Sequence, residues 1–395
     1  MNRCLQYLIK GMVMFPVIIL LVLNVRMYYQ PDCTSTEEGL AQLQYLKLVL
    51  KKGAAEEMQA IYPEGFIFIN VLYGLSWCDL IKQKDMTSPL FQEGIEAIDW
   101  ALAEINTAEA KAIFSPDLPL PNGAFYTGWQ TYLIGQKLLL QDSRERTEED
   151  ISLFKANCTA IKTAYASQGY RYLASYPNGT WPADNILCLA ALSLHDRIFQ
   201  SEFSNTIAEC LHHIKANLDL TTGLIPHAVS DQWKDMARGS SQSLMLHFLI
   251  DIDATFARSQ FTLFKEKFVD YRFGLPGIRE YPNGIKGNGD IDSGPVLLGI
   301  GGAASVVGIR TVATYGEWPL YEGLRNSVES FGLPITLNNQ KRYLFGRLPI
   351  ADAFIAWANA SNCQYKTSLT KNWRYAFHFY SLLPIFALSL LAYKI

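Results

Sequence analysis

Carboxylates that could serve as acids or bases lie in loops rich in glycine and proline, and Asp184 is the first of them. It follows Pro182 by two residues at the expected start of an apolar helix, and we expect Trp181 and Trp129 to wall it. Indole walls desolvate a carboxyl group and raise its pKa, which suits a general acid. The same position equally suits a carboxylate that only caps the N-terminus of the helix.

A later loop carries three more carboxylates, Glu280, Asp290 and Asp292. We expect Glu280 or Asp292 to act as the base or to position a water, and Asp290 to contact the substrate. Aspartates two residues apart in a glycine-flanked loop are also typical of ordinary turns. They are a weak signal for Ca²⁺, because the other oxygen ligands of a full loop are missing. The sequence contains no CxxC pair either, and we predict neither a metal nor a cofactor.

One histidine and one arginine lie on loops, where core packing explains them less easily than function does. His227 follows Pro226 and is a candidate for acid/base catalysis or for orienting the substrate. Arg238 can bind a carboxylate or hydroxyl groups, or it can pair with a loop aspartate. The full set of candidate substrate-binding residues is Tyr126, Trp129, Trp181, Asn185, Arg238, Gln242, Tyr281 and Asp290.

The loops recur along the chain, at glycines 65, 123, 179, 223, 284 and 346, which are 44 to 62 residues apart. An amphipathic helix precedes each loop, as over residues 147–168, and an apolar helix follows it, as over 185–196 and 295–309. A helix without a polar face must be buried. We therefore predict an all-α fold, an (α/α)6 toroid of six helical hairpins over residues 32–368, with a pocket at the mouth where the loops gather.

Both ends of the chain carry apolar segments suited to a membrane. In residues 1–31, Arg3 and Lys10 precede an apolar run without a small-x-small cleavage site. We expect an uncleaved anchor there, and the alternative is a removed signal peptide. In residues 369–395, the stretch 375–393 contains no acidic or basic residue except one histidine. It predicts a transmembrane helix, with a buried terminal core helix as the alternative.

The charges that flank these segments disagree about orientation. Arg3 and Lys10 favour a cytoplasmic N-terminus, which places the toroid outside the cytoplasm. Lys366, Lys371 and Arg374, on the toroid side of the last helix, favour the opposite orientation. We expect the toroid to lie on the extracytoplasmic side, with the terminal segments anchoring it to the lipid bilayer.

Composition excludes several classes of protein. The 395 residues include 49 % hydrophobic and 18 % charged residues, which excludes extensive disorder. A net charge of −3 gives no basic surface for nucleic acid. Seven cysteines are too few for a disulfide scaffold. Cys33 and Cys363 each lie just inside a membrane segment, where they are either bridged or two unrelated thiols.

Short motifs in the middle of the chain resemble those of a known family. They are Asp184-Asn185, Leu192-Ser-Leu-His-Asp196-Arg197, Asp219-Leu-Thr-Thr-Gly223, Arg279-Glu280, Asp290-Ile-Asp292 and Gly294. Over about residues 170–320 the chain resembles the linalool dehydratase-isomerase group of (α/α)6 proteins, relatives in fold of the six-hairpin glycosidases; the repeat pattern extends the likeness to about 35–365. That group uses cysteines at its pocket, one of them immediately before the asparagine that matches Asn185. Here Asp184 occupies that position, which puts cysteine-assisted dehydration of a tertiary alcohol in doubt.

Two functions remain open at this point. The first is a membrane-tethered hydrolase, lyase or dehydratase-isomerase, with Asp184 as general acid and a carbohydrate or terpenoid alcohol as its small-molecule or glycan substrate. The second is a non-catalytic membrane protein whose toroid binds a glycan, a lipid or a partner. The sequence does not give the oligomeric state.

Overall fold

A computed structural model of the chain describes residues 3–28, 36–230, 232, 234–291, 293–361 and 372–395. Most of these residues are helical, so the prediction of a mostly helical protein is confirmed. In chain order the helices are α1 Arg3–Arg26, α2 Thr36–Leu50, α3 Ala54–Ile61, α4 Gly65–Ile81, α5 Pro89–Ile105, α6 Ala108–Lys111, α7 Gly123–Leu140, α8 Glu148–Ser167, α9 Pro182–Ile198, α10 Ser204–Ala216, α11 Gly239–Leu249, α12 Ala254–Phe268, α13 Gly302–Thr314, α14 Trp318–Phe331, α15 Pro349–Asn359 and α16 Asn372–Lys394.

Six of these helices, α4, α7, α9, α11, α13 and α15, are apolar and largely buried, and we call them the core helices. Each packs against the next in this order, and α15 packs against α4. Amphipathic helices precede them, and the predicted helix over 147–168 is observed as α8. Ser88, Thr147 and Asp253 start three of the amphipathic helices by accepting hydrogen bonds from backbone N–H groups.

Three antiparallel hairpins interrupt the helical pattern: β1 Val269–Arg272 with β2 Leu275–Ile278, β3 Val296–Leu297 with β4 Ile300–Gly301, and β5 Ile335–Leu337 with β6 Gln340–Arg342. The expected helix over 295–309 is therefore wrong at its beginning, since residues 296–301 form the second hairpin and α13 begins at Gly302. The turn of this hairpin has positive φ angles at Leu298 and Gly299. Glycine at a turn allows a left-handed conformation that a helix does not contain.

Aromatic side chains from four core helices meet at the centre of the molecule. Trp129 of α7 is fully buried and packs edge-on against Phe68 of α4, Phe248 of α11 and Trp357 of α15. Their ring centroids lie 5.4, 5.8 and 6.4 Å from that of Trp129. Because aromatic side chains fill this centre, the ends of the core helices are the place for a ligand site.

A buried polar network joins the beginning of the helical body to its end. Lys341 of β6 donates to both carboxylate oxygens of Glu329 of α14, at 2.8 and 2.9 Å, and to Glu38 of α2. The Tyr343 hydroxyl donates to Glu329 at 2.5 Å and accepts from Gln42 of α2 at 3.0 Å. The bonds to Glu38 and Gln42 connect residues 303 and 301 positions apart, so they hold α2 against the last third of the chain.

The two terminal helices are long and apolar enough to cross a membrane, by length and composition. They pack against each other. The Asn24 side-chain oxygen of α1 accepts hydrogen bonds from His378 at 2.6 Å and Ser381 at 3.0 Å, both on α16. Tyr28 stacks on His378 with ring centroids 5.0 Å apart. Cys33 and Cys363, for which a bridge and two unrelated thiols remain the alternatives, lie outside the described residues.

Candidate functional site

The segments that precede the six core helices contain the candidate residues, and we call them the rim loops. They are residues 62–64, 112–122, 168–181, 217–238, 269–301 and 332–348, numbered first to sixth in chain order. Hydrogen bonds join several of them: Tyr176 to Glu64, Ala124 N–H to Ala174 C=O, Val229 N–H to Thr180 C=O, and Gly239 N–H to Glu280 C=O. These bonds bring the N-terminal ends of four core helices together with the fifth rim loop.

Arg238 is the centre of a charged cluster between the fourth and fifth rim loops. Its Nε donates to Glu280 Oε1 at 2.8 Å, and its Nη1 donates to Asp290 Oδ2 at 2.5 Å. The same Nη1 lies 3.2 Å from Nε2 of His227. Arg238 also lies over the ring of Tyr281, 5.4 Å from its centroid. Five sequence-predicted residues, separated by up to 63 positions, are thus neighbours in the fold.

Burial and charge divide the two carboxylates of this cluster. Glu280 is fully buried, and desolvation raises its pKa even though Arg238 and Ser240 lower it in part. For Asp290 burial also raises the pKa, but hydrogen bonds from Arg238 and the Ser293 backbone outweigh it and hold the pKa well below its usual range. The Asp290 side chain is 45 % exposed, so the cluster reaches solvent there.

The hydrogen bonds of His227 determine which of its two ring nitrogens carries the proton. Burial, assisted by the positive charge of Arg238, lowers the pKa of His227 to about 4, so the ring is neutral at pH 7. Arginine has no acceptor, so Nη1 of Arg238 donates to Nε2, and the ring proton must lie on Nδ1. Nδ1 therefore donates to the Ser241 hydroxyl, 2.5 Å away. In this arrangement His227 orients Arg238 and Ser241 and does not take a proton from the serine.

Gly239, the first residue of α11, allows the fourth and fifth rim loops to meet. Its N–H donates to the Glu280 carbonyl at 2.9 Å. A Cβ atom at this position would lie 1.8 Å from the carbonyl oxygen of Arg279, which is closer than any real side chain lies. The position of Glu280 beside Arg238 therefore requires a glycine, which has no side chain, at residue 239.

We expect Gly239→Ala to push the two rim loops apart and to lower the free energy of unfolding by about 1–3 kcal/mol through overpacking. Thermal unfolding of the full chain in detergent measures this. Gly302→Ala is the matched control, because Gly302 is the first residue of α13 and its Cβ would have no neighbour closer than 3.5 Å. Equal melting temperatures for the two variants would contradict the close approach at Gly239.

Asp184 lies in the first turn of α9, as predicted, and it is buried. Its Oδ2 accepts a hydrogen bond from Ser175 of the third rim loop at 2.5 Å. The neighbouring Tyr176 packs edge-on against Trp181, with ring centroids 5.6 Å apart, and donates to Glu64 of the first rim loop. A second carboxylate-containing group thus lies beside α9, built from the first and third rim loops.

Two other candidates, Asn185 and Tyr126, form hydrogen bonds within the protein. The Asn185 side chain makes four hydrogen bonds, to the backbone of Leu173 and Trp181 and to the Tyr165 hydroxyl. The Tyr126 hydroxyl donates to the carbonyl of Ile105, within the core. The polar groups of Asn185 and Tyr126 are therefore bonded to other parts of the protein rather than presented to a ligand.

Trp129 and Gln242 differ from them in one respect. Trp129 Nε1 and Gln242 Oε1 are buried, and neither atom has a hydrogen-bond partner among the described residues. The Gln242 amide group donates to the Ile225 carbonyl at 2.6 Å.

The Tyr281 hydroxyl donates to the Asn288 carbonyl at 2.8 Å. Asp292, the alternative base, lies outside the described residues.

Sequence reasoning did not single out Asp352, which, like Asp184, is a buried carboxylate in the first turn of a core helix. Its Oδ1 accepts from the Tyr343 N–H at 2.6 Å, and its Oδ2 has no partner among the described residues. Burial raises the pKa of Asp352 to about 7. The signal was present, since Pro349 precedes Asp352 much as Pro182 precedes Asp184.

Surface clefts lie beside the rim without including the Arg238 cluster. One of about 160 Å³ lies between the fourth and fifth rim loops, near Thr222, Lys267 and Asn283. Another of about 330 Å³ is lined by Lys51, Asn70 and other residues of α2 to α5. Over the described part of the chain, no three His, Cys, Asp or Glu side chains are grouped closely enough to hold a metal ion.

Comparison with known proteins does not assign the chain to a family. No protein-family model matches it. No curated protein matches it either.

Proposed function

We propose that the chain is a membrane-anchored (α/α)6 enzyme that performs acid/base chemistry on a hydroxylated substrate, such as a carbohydrate or a terpenoid alcohol. The observation that carries the proposal is the cluster at Arg238, where two rim loops bring together a guanidinium group, two carboxylates and a neutral imidazole. Two carboxylates in one cluster with pKa values shifted in opposite directions are typical of acid/base sites.

The order of helix packing supports the toroid. Each core helix packs against the next, and the sixth packs against the first, which is the order required for six hairpins in a closed ring. The network of Lys341, Glu329 and Glu38 stabilises the contact between the first and last hairpins. In this arrangement the rim loops surround one end of the ring.

Within the site, Arg238 is the residue we assign to substrate binding. Its Nη2 is buried and has no hydrogen-bond partner among the described residues, so it is a donor for a substrate oxygen. Glu280, with a raised pKa, accepts or delivers a proton, and Asp184 remains the proposed general acid. One cation between two carboxylates leaves the cluster without excess positive charge, which favours a neutral hydroxyl over an anionic group.

The terminal helices supply the proposed membrane anchor. Both α1 and α16 carry exposed apolar side chains over most of their length, and lipid would cover them. An antiparallel pair of spans places the two chain ends on one side of the bilayer and the toroid on the other. Arg3 and Lys10, near the beginning of α1, favour the cytoplasm for the chain ends, so the toroid is extracytoplasmic.

Thermal unfolding of the full chain in detergent tests the proposal against neutral oligosaccharides, uronic acids and terpenols. A ligand at 100 times its Kd adds about 2.7 kcal/mol to the free energy of unfolding. We expect one class of neutral hydroxylated compound to raise the Tm of the wild type, and mass spectrometry to detect its conversion. Asp184→Asn is expected to keep the Tm shift and to lose conversion, because it removes an ionisable group without changing shape.

Asp253→Asn is the matched control, since Asp253 caps α12, outside the rim loops, and its substitution should leave binding and conversion unchanged. Binding without conversion, equal in wild type and Asp184→Asn, would favour the non-catalytic toroid instead. A stabilising uronic acid would contradict the assignment of a neutral substrate.

A further inference from the structure

Two of the hairpins in the fifth rim loop end in exposed apolar side chains. Tyr271 of β1 and Phe273 of the turn after it are exposed, as are Leu297 of β3 and Leu298 of the turn after it; we call these four residues the hairpin tips. Phe273 is 58 % exposed and Leu297 is 73 % exposed. Arg272 donates to the carbonyl of Leu298 at 2.9 Å, so the two tips lie side by side. Adjacent exposed apolar groups of this size are typical of an interaction surface.

The hairpin tips are continuous with the apolar surface of the terminal helices. The ring of Phe273 packs edge-on against Tyr380 of α16, with centroids 6.3 Å apart. Directly after the turn of the same hairpin, Leu275 belongs to a buried cluster with Leu23 of α1 and Phe377 of α16. The exposed apolar surface of α16 therefore extends onto Phe273 of the hairpin.

Charged residues mark where the membrane begins on each terminal helix. Arg374, at the start of the apolar part of α16, pairs with Glu322 of α14 at 3.4 Å. Arg26, at the end of α1, donates to the carbonyls of Glu329 and Pro334. Tyr380 lies six residues beyond Arg374, which is about 9 Å along a helix. The Phe273 tip therefore reaches past the charged boundary, to the depth at which aromatic side chains favour the bilayer interface.

The candidate site is attached to this surface. The Glu280 N–H donates to the carbonyl of Gly299, one residue after the Leu298 tip, at 3.2 Å. Gly299 also lies against the guanidinium group of Arg279. The carboxylate that pairs with Arg238 is therefore held by the same turn that presents Leu297 and Leu298.

We infer that the hairpin tips insert into the lipid leaflet crossed by α1 and α16, so that the rim of the core helices opens at the level of the lipid headgroups. This inference rests on the proposed membrane anchoring and adds to it a second, peripheral contact with the bilayer. The occupant of the apolar surface is lipid, because the surface continues that of the two spans.

Photochemical crosslinking of the full chain in phosphatidylcholine vesicles tests the inference. The photoreactive residue benzoylphenylalanine replaces, one at a time, Phe273, Leu298, Phe386 of α16, or Leu153, an exposed apolar residue of the amphipathic helix α8. We expect lipid adducts, detected by mass spectrometry after illumination, at Phe273, Leu298 and Phe386. At Leu153 we expect no lipid adduct.

The four positions separate the two ideas. Adducts at Phe386 without adducts at Phe273 and Leu298 would overturn the inference and leave the membrane anchor standing. No adduct at Phe386 would overturn the anchor and with it the inference. Adducts at Leu153 equal to those at Leu298 would also overturn it, because contact with lipid would then not be specific to the hairpin tips.

Discussion

Replacing Asp352 with asparagine is expected to raise the free energy of unfolding by about 4 kcal/mol at pH 8, and by little near pH 4. The carboxylate is buried at the start of α15, and one of its oxygens has no partner among the described residues. Burial raises its pKa from 3.8 to about 7, although the Tyr343 N–H and the charge of Arg342 oppose the shift. Asparagine keeps the acceptor for that N–H and carries no charge.

The sign of the pH dependence follows from the two pKa values. Between pH 4 and pH 7 the folded protein keeps the proton on Asp352, while the unfolded chain has released it. Stability therefore falls as the pH rises through this interval, and the whole cost is present above pH 7. The Asp352→Asn variant lacks this loss.

Denaturant unfolding of the full chain in detergent, repeated from pH 4 to pH 8, measures the difference between the two proteins. Asp253→Asn is the control, since its hydrogen bonds to Lys215 and the backbone of α12 lower the pKa of Asp253 despite a partial burial that raises it. Its effect should be constant above pH 5. A constant difference for Asp352→Asn as well would mean that Asp352 is already ionised in the folded protein.

Replacing Lys341 with methionine should lower the free energy of unfolding by about 3–5 kcal/mol, because it leaves buried carboxylates without their cation. The Lys341 side chain is 5 % exposed and lies between Glu329 and Glu38. Removing one partner of a buried ion pair exposes the full desolvation cost of the other. The same unfolding experiment at pH 7 measures the loss.

Two further variants isolate the charge. The double substitution Lys341→Met with Glu329→Gln removes the more deeply buried pair of charges and leaves Glu38 beside Arg325, 3.6 Å away, so it should recover most of the lost stability. Lys47→Met breaks a half-exposed pair with Glu93 at the surface and should cost less than about 1 kcal/mol. If the double variant were as unstable as Lys341→Met alone, packing rather than charge would explain the loss.

The sequence predicts the core helices well because their apolar runs have no polar face, as in α4, where nearly every side chain is buried. It fails at residues 296–301, where an equally apolar run forms a hairpin. Periodicity does not distinguish a short buried strand from the first turn of a buried helix. The positive φ of Gly299 decides the conformation, and a glycine alone does not reveal that angle.

The candidate site divides in a similar way. His227, Arg238, Glu280 and Asp290 were identified from their loops, and the structure brings them together. Their pairing depends on the approach of two loops at Gly239, which no local pattern encodes. The position of Asn185 beside Asp184, at the start of an apolar helix, also predicts a ligand contact, yet its amide forms hydrogen bonds with backbone groups of the third rim loop.

The hydrogen bonds between Lys341 and the acidic residues of α2 and α14 constrain how the protein is made. During synthesis, Glu38 leaves the ribosome about 300 residues before the lysine that neutralises it. Until then α2 lacks its partners β6 and α15. Contacts so distant in sequence form late, so in the nascent chain α2 and α4 lack part of their packing until the last third of the chain is made. The apolar edges of α4 and α13 then stay uncovered until α15 is made, and they are where a chaperone would bind during translation.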